Sequence, residues 1–293
     1  MVAYLALLNV LEFSSFSQAA RAMGYTQSAV SQMIKSLEEE LGVTLLVRSR
    51  TGVSLTREGE ALLPFIRDVA QAHRALSDQA AAVRGLEQGM VRIGSFASVS
   101  SSLLPQAIMR FKEAHPAIRF ELHQGLYQEL EGWVREGVVD FSFTDLCRPT
   151  EFVSRPLFED SLLAVLPADH PLAAMEIIPT ARFAQEPFIL LDEGRGGATL
   201  NGFLDEYPGL DVQYRVADDY SILNMVENHL GVAVLPEMVV HSAPAGVAVR
   251  ALEPPIRRRM GIIYRKQAGL STAAQAFLDV LDAEIRKISC LKK

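Results

Sequence analysis

Short apolar runs alternate with helical patterns from residue 91 onward, and this alternation limits the chain to few folds. Residues 91–97 are mostly apolar and precede an amphipathic stretch at 103–113, and the order restarts at 188–191 after a pause. Strands separated by helices of this length form mostly parallel sheets, because a parallel pair needs a long crossover connection. We therefore predict an α/β fold with two lobes, joined by crossover strands near 164–167 and 261–264.

The first 42 residues predict three short helices. Residues 5–11 are nearly all apolar, and residues 18–23 form an Ala-rich segment after several serines. Thr26 can cap a third helix through its hydroxyl, and Gly42 can end that helix. Apolar side chains recur three and four residues apart along the third helix, with a polar stripe opposite. Such a stripe suits a helix that enters a DNA major groove.

A basic hairpin is predicted after the third helix. Residues 43–47 and 53–55 read as short strands around a turn that contains Arg48 and Arg50. Residues 1–57 hold five Lys or Arg against four acids, a net charge of +1, although the whole chain has −7. A wing of this kind is placed to contact DNA phosphates, which need local positive charge.

A long helix with an apolar seam follows Thr56. The seam steps by four and three residues over about three heptads, and His73 is its one polar member. Its apolar members are Leu62, Ile66, Val69, Leu76, Ala80 and Val83. We predict a helix over about 57–86 that packs against a partner helix in a dimer.

The chain has 293 residues and is 49% hydrophobic, which suffices for about two domains with buried cores. The N-terminus carries no basic leader, and neither a signal peptide nor a membrane span is expected. Cys147 and Cys290 are the only cysteines, a usage that fits a reducing compartment and predicts the cytoplasm. A redox role for Cys147 stays open.

Several motifs occur in a specific order and spacing. They are Ser15-Phe-Ser-Gln-Ala-Ala20, Thr26-Gln-Ser-Ala-Val-Ser-Gln32, Leu37-Glu38, Leu41-Gly42, Arg48, and Leu55-Thr56-Xaa-Xaa-Gly59. Weaker ones follow at Leu103-Leu104-Pro105, Val165-Leu166-Pro167, His170-Pro171-Leu172 and 226–236. With them the chain resembles the LysR-type transcriptional regulators along essentially its whole length. It departs mildly from that pattern at Ser14, Leu46 and His229.

The resemblance implies a winged helix-turn-helix at 1–57, a linker helix at 58–88 and a periplasmic-binding-protein-like α/β effector domain at 89–293. Lobe 1 would span about 89–164 and 264–293, and lobe 2 about 165–263. It also implies a homodimer or homotetramer that binds an operator in double-stranded DNA.

The polar stripe and the wing supply the candidate DNA contacts. Glutamine can pair with adenine, hydroxyls contact several acceptors, and Lys or Arg suits guanine or phosphate. A polar helix face is more often simply solvated, but the specific spacing here favours DNA. The candidates are Thr26, Gln27, Ser28, Ser31, Gln32, Lys35, Arg48 and Arg50.

Serines before the helix at 103 predict an effector pocket, because hydroxyls and free N–H groups at a helix N-terminus favour an anion such as a carboxylate. Serine runs are often only caps and loops, and loop arginines are often only exposed. The candidates are Ser98, Ser100, Ser101, Ser102, Thr144, Arg195, Thr199, Tyr220 and Ser221.

An enzyme and a solute-binding protein are the two alternative functions for a chain of this kind. An enzyme would need a nucleophile or metal constellation, and no elbow, zinc-binding or phosphate-loop motif is present, so we expect no catalytic residue, no metal and no cofactor. A solute-binding protein would suit the two lobes alone. The absence of an export signal and the first 88 residues argue against it.

Overall fold

A computed structural model describes residues 2–49, 52–83, 89–194, 197–266 and 269–291. The chain divides into two compact units, Met1–Ala80 and Ala81–Lys293. Across the described residues, no helix combines the length and the apolar character that a membrane crossing requires.

The first unit begins with three helices, α1 (Val2–Phe13), α2 (Phe16–Met23) and α3 (Gln27–Leu41), as the sequence predicts. The Thr26 hydroxyl accepts a hydrogen bond from the Ala29 N–H at 3.2 Å and so caps α3. Gly24 and Gly42 end α2 and α3 with φ of 71° and 70°, a left-handed conformation that glycine adopts without strain.

The wing consists of β1 (Leu46–Ser49) and β2 (Gly52–Leu55), an antiparallel pair in which Arg48 lies opposite Val53. β1 begins three residues later than predicted and includes Arg48, which the sequence placed in the turn. The Glu38 carboxylate of α3 accepts hydrogen bonds from the N–H groups of Leu45 and Leu46, at 2.7 and 3.2 Å. This carboxylate fixes the chain at the entry to the wing.

The helix α4 (Arg57–Val83) follows the wing. Its Gly59 lies so close to the wing that a Cβ atom would stand 2.4 Å from the Leu45 carbonyl oxygen, so only glycine fits there. Ile66 packs in the core of this unit, whereas Val69 and Leu76 are 38% and 68% exposed. The apolar seam therefore continues beyond the core of the unit.

Lobe 1 of the second unit alternates strands and helices as predicted. Its strands β3, β4 and β5 are all parallel, with β3 in the middle. In chain order the elements are β3 (Gly89–Ser95), α5 (Ala97–Ser102), α6 (Leu104–Ala114), β4 (Ile118–Gln124), α7 (Tyr127–Glu136) and β5 (Phe141–Asp145).

The long strand β6 (Val153–Pro167) leads from lobe 1 into lobe 2, where a 3-10 turn follows at Pro171–Ala174. The sequence did not predict its shortest elements or the strand β11. The elements are β7 (Ile177–Pro179), α8 (Thr180–Phe183), β8 (Phe188–Leu191), α9 (Ala198–Glu206), β9 (Val212–Val216), α10 (Asp219–Glu227), β10 (Ala233–Pro236), α11 (Glu237–Val240) and β11 (Val247–Glu253).

The chain returns to lobe 1 through β12 (Ile256–Tyr264) and α12 (Thr272–Leu291). β12 runs antiparallel to both β5 and β6, so the sheet is mixed where the sequence predicted a mostly parallel one. Leu162 packs in the core of lobe 2 and Met260 in that of lobe 1. The two strands thus pass between the lobes near residues 160 and 258, earlier than the predicted crossovers, and place Asp160 opposite Arg258.

Two of the departures from the family pattern fall at unusual backbone positions. Ser14 and His229 have φ of 47° and 59°, the left-handed region that favours glycine. At each position this chain therefore holds a residue that adopts this conformation less easily than glycine does.

Candidate DNA-reading face and effector cavity

The polar stripe of α3 is open to solvent. Its predicted contact residues Gln27, Ser28, Gln32 and Lys35 are exposed, and Ser31 is half-buried. Lys35 forms an ion pair with Glu39 at 3.6 Å in which both side chains are exposed. Such pairs contribute little, so Lys35 can exchange Glu39 for a phosphate at small cost.

Thr26, Arg48 and Arg50 differ from the other predicted DNA contacts. The Thr26 hydroxyl caps α3 and lies 3.0 Å from the Ser28 hydroxyl, which makes it a structural group first. Arg48 lies on β1, and its side chain is outside the described residues, as is all of Arg50. A contact by either arginine stays a prediction.

A cavity of about 210 Å³ lies between the two lobes of the second unit. Lobe 1 contributes the start of α5 and the segment between β4 and α7, and lobe 2 contributes the residues that follow β8 and β9. The lining residues are Phe96, Ala97, Ser98, Gln124, Gly125, Leu126, Tyr127, Leu191, Asp192, Glu193, Ala217, Asp219 and Arg258.

A buried ion pair forms the floor of the cavity. The Arg258 guanidinium donates from Nε and Nη2 to Oδ2 of Asp160, at 3.0 and 2.8 Å, and the two side chains are 3% and 1% exposed. Nη2 also lies 3.4 Å from the Ser98 hydroxyl. Burial lowers the pKa of Arg258. The neighbouring Asp160, Tyr127 and Glu193 together raise that pKa by a larger amount, so the guanidinium stays charged.

Two carboxyl groups of lobe 2 face this floor. Burial raises the pKa of Glu193 to about 7, although Arg258, 3.7 Å away, lowers it in part. Burial likewise raises the pKa of Asp219 to about 6, again against an opposing effect of Arg258. Near neutral pH both groups are close to the point where they lose a proton, which is typical of functional sites.

Two buried polar atoms on the cavity wall have no hydrogen-bond partner among the residues that the structure describes. The Tyr127 hydroxyl lies beside the Arg258 guanidinium but makes no hydrogen bond of normal geometry, and Oδ1 of Asp219 makes none. Burial holds the pKa of Tyr127 well above its usual range, so the hydroxyl keeps its proton. Buried polar atoms in folded proteins nearly always have a hydrogen-bond partner, so these two atoms are available to a bound molecule.

The predicted serines are mostly engaged within lobe 1. Ser98 lines the cavity. The Ser100 hydroxyl lies 2.5 Å from that of Ser95, and those of Ser101 and Ser102 donate to the carbonyls of Ala97 and Ser98. The hydroxyls of Ser101 and Ser102 thus bond back to carbonyls of α5, as serines within helices commonly do, and a ligand contact by these serines stays a prediction.

The other predicted effector residues connect the lobes or lie elsewhere. The Tyr220 hydroxyl meets that of Ser101 at 2.5 Å, and the Thr199 hydroxyl donates to Asp145 at 2.5 Å, so both pairs join lobe 1 to lobe 2. Ser221 hydrogen-bonds to Asp218, Thr144 is buried in β5, and neither lines the cavity. Arg195 lies outside the described residues.

Sequence reasoning missed the charged residues of the cavity. Asp160 interrupts an apolar stretch, and Arg258 is the middle member of three consecutive arginines, 257–259. In a strand alternate side chains share a face, so the middle one of three charges must point opposite to the others. An arginine that points inward from a strand was the sequence signal that could have predicted a buried charge here.

The fold and the two sites define a class of protein: a winged helix-turn-helix DNA-binding regulator that carries a two-lobed ligand-binding domain. Comparison with family sequence profiles identifies the family within this class. The profile described as a bacterial regulatory helix-turn-helix protein of the lysR family matches residues 3–60, and the LysR substrate binding domain matches 84–286. The chain belongs to the LysR family of DNA-binding transcriptional regulators.

Individual relatives match over almost the whole chain. The transcriptional regulator YvbU of Bacillus subtilis is 31% identical over 277 residues, which cover 93% of this chain and 94% of that protein. The dual regulator OxyR of Escherichia coli is 27% identical and covers 95% of this chain and 93% of its own length. A full-length OxyR variant from Pseudomonas aeruginosa has a TM-score of 0.75 at 25% identity, with 97% and 96% covered.

Proposed function

We propose that the protein is a cytoplasmic, homo-oligomeric regulator that reads its operator with α3 and senses a small effector in the cavity between its lobes. The observation that carries the proposal is the cavity itself: it lies between two lobes, and two of its buried polar atoms have no partner within the described part of the chain. Clefts with a few converging polar groups are the usual ligand sites of α/β domains.

Two hydrogen-bonded contacts between the lobes suggest how an effector acts. The Ser101–Tyr220 and Asp145–Thr199 pairs hold the lobes together beside the cavity. An effector that binds one arrangement of the lobes more tightly shifts the population toward that arrangement. The shift alters how linked subunits are arranged on DNA, and the coupling equals the difference in effector affinity.

Operator binding is the first property to test. Fluorescence anisotropy of the full-length protein, on DNA that flanks its own gene and on scrambled DNA across a salt series, should show a sequence preference near physiological salt. Phosphate contacts alone give binding that is equal on both DNAs and falls steeply with salt. Equal binding to both DNAs at all salt concentrations would contradict the proposal.

Variants of α3 test the reading face. Ser31→Ala with Lys35→Ala should lower operator affinity by about tenfold or more, because a good base contact contributes about 1–3 kcal/mol of discrimination. Lys112→Ala, which removes an exposed lysine from α6 in the other unit, is the matched control and should leave affinity unchanged. An unchanged footprint in the double variant would remove both residues from the reading face.

A further inference from the structure

The described wall of the cavity has more negative than positive charge. Asp192, Glu193 and Asp219 line it, and Arg258 is the one cation among its described lining residues. Asp160 already pairs with that arginine beneath the cavity. Glu193 and Asp219 therefore face the cavity with at least one charge that no group of the described wall balances.

An anionic occupant, which the sequence predicts, finds few unused side-chain donors among the described lining residues. The Arg258 donors are used by Asp160 and Ser98 or lie near Glu193. The hydroxyls of the serines before α6 already have partners in β3, in α5 and on Tyr220, and α5 has only six residues. The anionic effector stays a prediction, and the charge of the wall favours the opposite sign.

The rest of the wall suits an organic cation. The rings of Phe96 and Tyr127 lie 4.5 Å apart by their centroids, and aromatic faces attract ammonium groups. The unpartnered Tyr127 hydroxyl and Oδ1 of Asp219 can both accept hydrogen bonds. Leu126 and Leu191 complete an apolar side. An ammonium group has three donors and no acceptor, which matches this set of acceptors.

We propose that the effector is a small organic cation, a primary ammonium on an apolar body, held by Glu193, Asp219 and the Tyr127 hydroxyl. The proposal rests on the proposed function, in which this cavity is the effector site. A cavity of roughly 150 Å³ holds benzene, so the 210 Å³ here suits a molecule of about ten non-hydrogen atoms.

Three probes of one shape test the sign of the charge. Calorimetric titration of the full-length protein at pH 7.5 with 2-phenylethylammonium, 2-phenylethanol and phenylacetate should show the ammonium binding at least about tenfold more tightly than the others, about 1.4 kcal/mol. Phenylacetate or the alcohol binding as tightly, or the ammonium failing to bind, would overturn the proposal.

The pH dependence of ammonium affinity gives a second test, and this test needs no variant. Four charged groups act on the carboxyls of Glu193 and Asp219, namely Arg258, Asp145, Asp160 and Asp218, and Asp219 itself raises the pKa of Glu193. With pKa values of about 7 and about 6, the two carboxyls lose protons between pH 6 and 8, while an aliphatic ammonium keeps its own. Affinity for the ammonium should rise about tenfold over that interval, with protons released on binding. A flat profile contradicts the proposal.

A matched pair of variants tests whether the ammonium probe binds in this cavity. Asp219→Asn should weaken ammonium binding about tenfold by removing a charge beside the ligand. Asp205→Asn makes the same change at an exposed site on α9 and should have no effect. Equal affinities in the two variants would place the ammonium outside this cavity and overturn the proposal.

Operator anisotropy in the same samples separates the two claims. If the ammonium binds in the cavity but leaves operator binding unchanged, the cation site stands and its role as effector site falls. If an anion and not the ammonium changes operator binding, the regulator stands and the cation proposal falls.

Discussion

At the scale of single residues, the burial of Glu193 in the cavity wall lowers the stability of the folded protein at alkaline pH. Its carboxyl is buried beside Arg258, yet burial dominates and raises its pKa from 4.5 to about 7. A carboxyl whose pKa is raised by folding contributes stability below pH 4.5, and that contribution is lost as the pH rises toward 7. At alkaline pH the folded protein must hold a poorly solvated charge.

We expect Glu193→Gln to stabilise the ligand-free protein at pH 8, by on the order of 3 kcal/mol for a shift of this size, and to change little at pH 4.5. Denaturant unfolding at the two pH values measures the difference. Asp205→Asn controls for the loss of a charge at an exposed site and should be neutral at both. A loss of stability at pH 8 would mean that the Glu193 charge is well compensated.

At this scale, the sequence predicts the contacts between residues that are close together in the chain and misses those between residues far apart. Thr26 caps a helix that begins one residue later, and Gly42 ends it, so both roles follow from local pattern. Asp160 and Arg258 meet only because β6 and β12 pair in one register, 98 residues apart. Pairing over such a separation leaves no local periodicity, which explains why the serines were chosen and the ion pair was missed.

At the scale of elements, Glu38 joins the recognition helix to the wing. Residues 38–40 lie at the C-terminal end of α3, and the sequence pattern alone assigns Glu38 no structural role. One oxygen of Glu38 accepts the N–H groups of Leu45 and Leu46. Two backbone donors are thereby satisfied at the point where the chain leaves α3 for β1.

Glu38→Ala should destabilise the DNA-binding unit by about 1–3 kcal/mol, because it leaves backbone donors without an acceptor. It should also weaken operator binding through a misplaced wing. Glu40→Ala, an exposed position on the same helix, is the control. Thermal unfolding and operator anisotropy measure the two effects, and equal melting temperatures for the variants would show that the Glu38 hydrogen bonds contribute nothing.

At the scale of the whole molecule, the linker helix α4 presents an apolar surface that one copy of the chain leaves open. Phe65 and Leu76 are 66% and 68% exposed, and Val69 is 38% exposed. The seam that the sequence predicts continues past Ile66, which is buried in the first unit. A partner helix would cover these side chains as a coiled coil covers its core positions.

Leu76→Glu should therefore dissociate the oligomer without unfolding the subunit, because the side chain is mostly exposed in a single copy. Sedimentation equilibrium should show a shift toward monomer, and operator affinity should fall because one subunit loses the contacts of the other half-site. Gln71→Glu adds the same charge on the opposite side of α4 and should leave the assembly intact. If Leu76→Glu sediments as the unaltered protein does, subunits associate through another surface, and the seam has a different role.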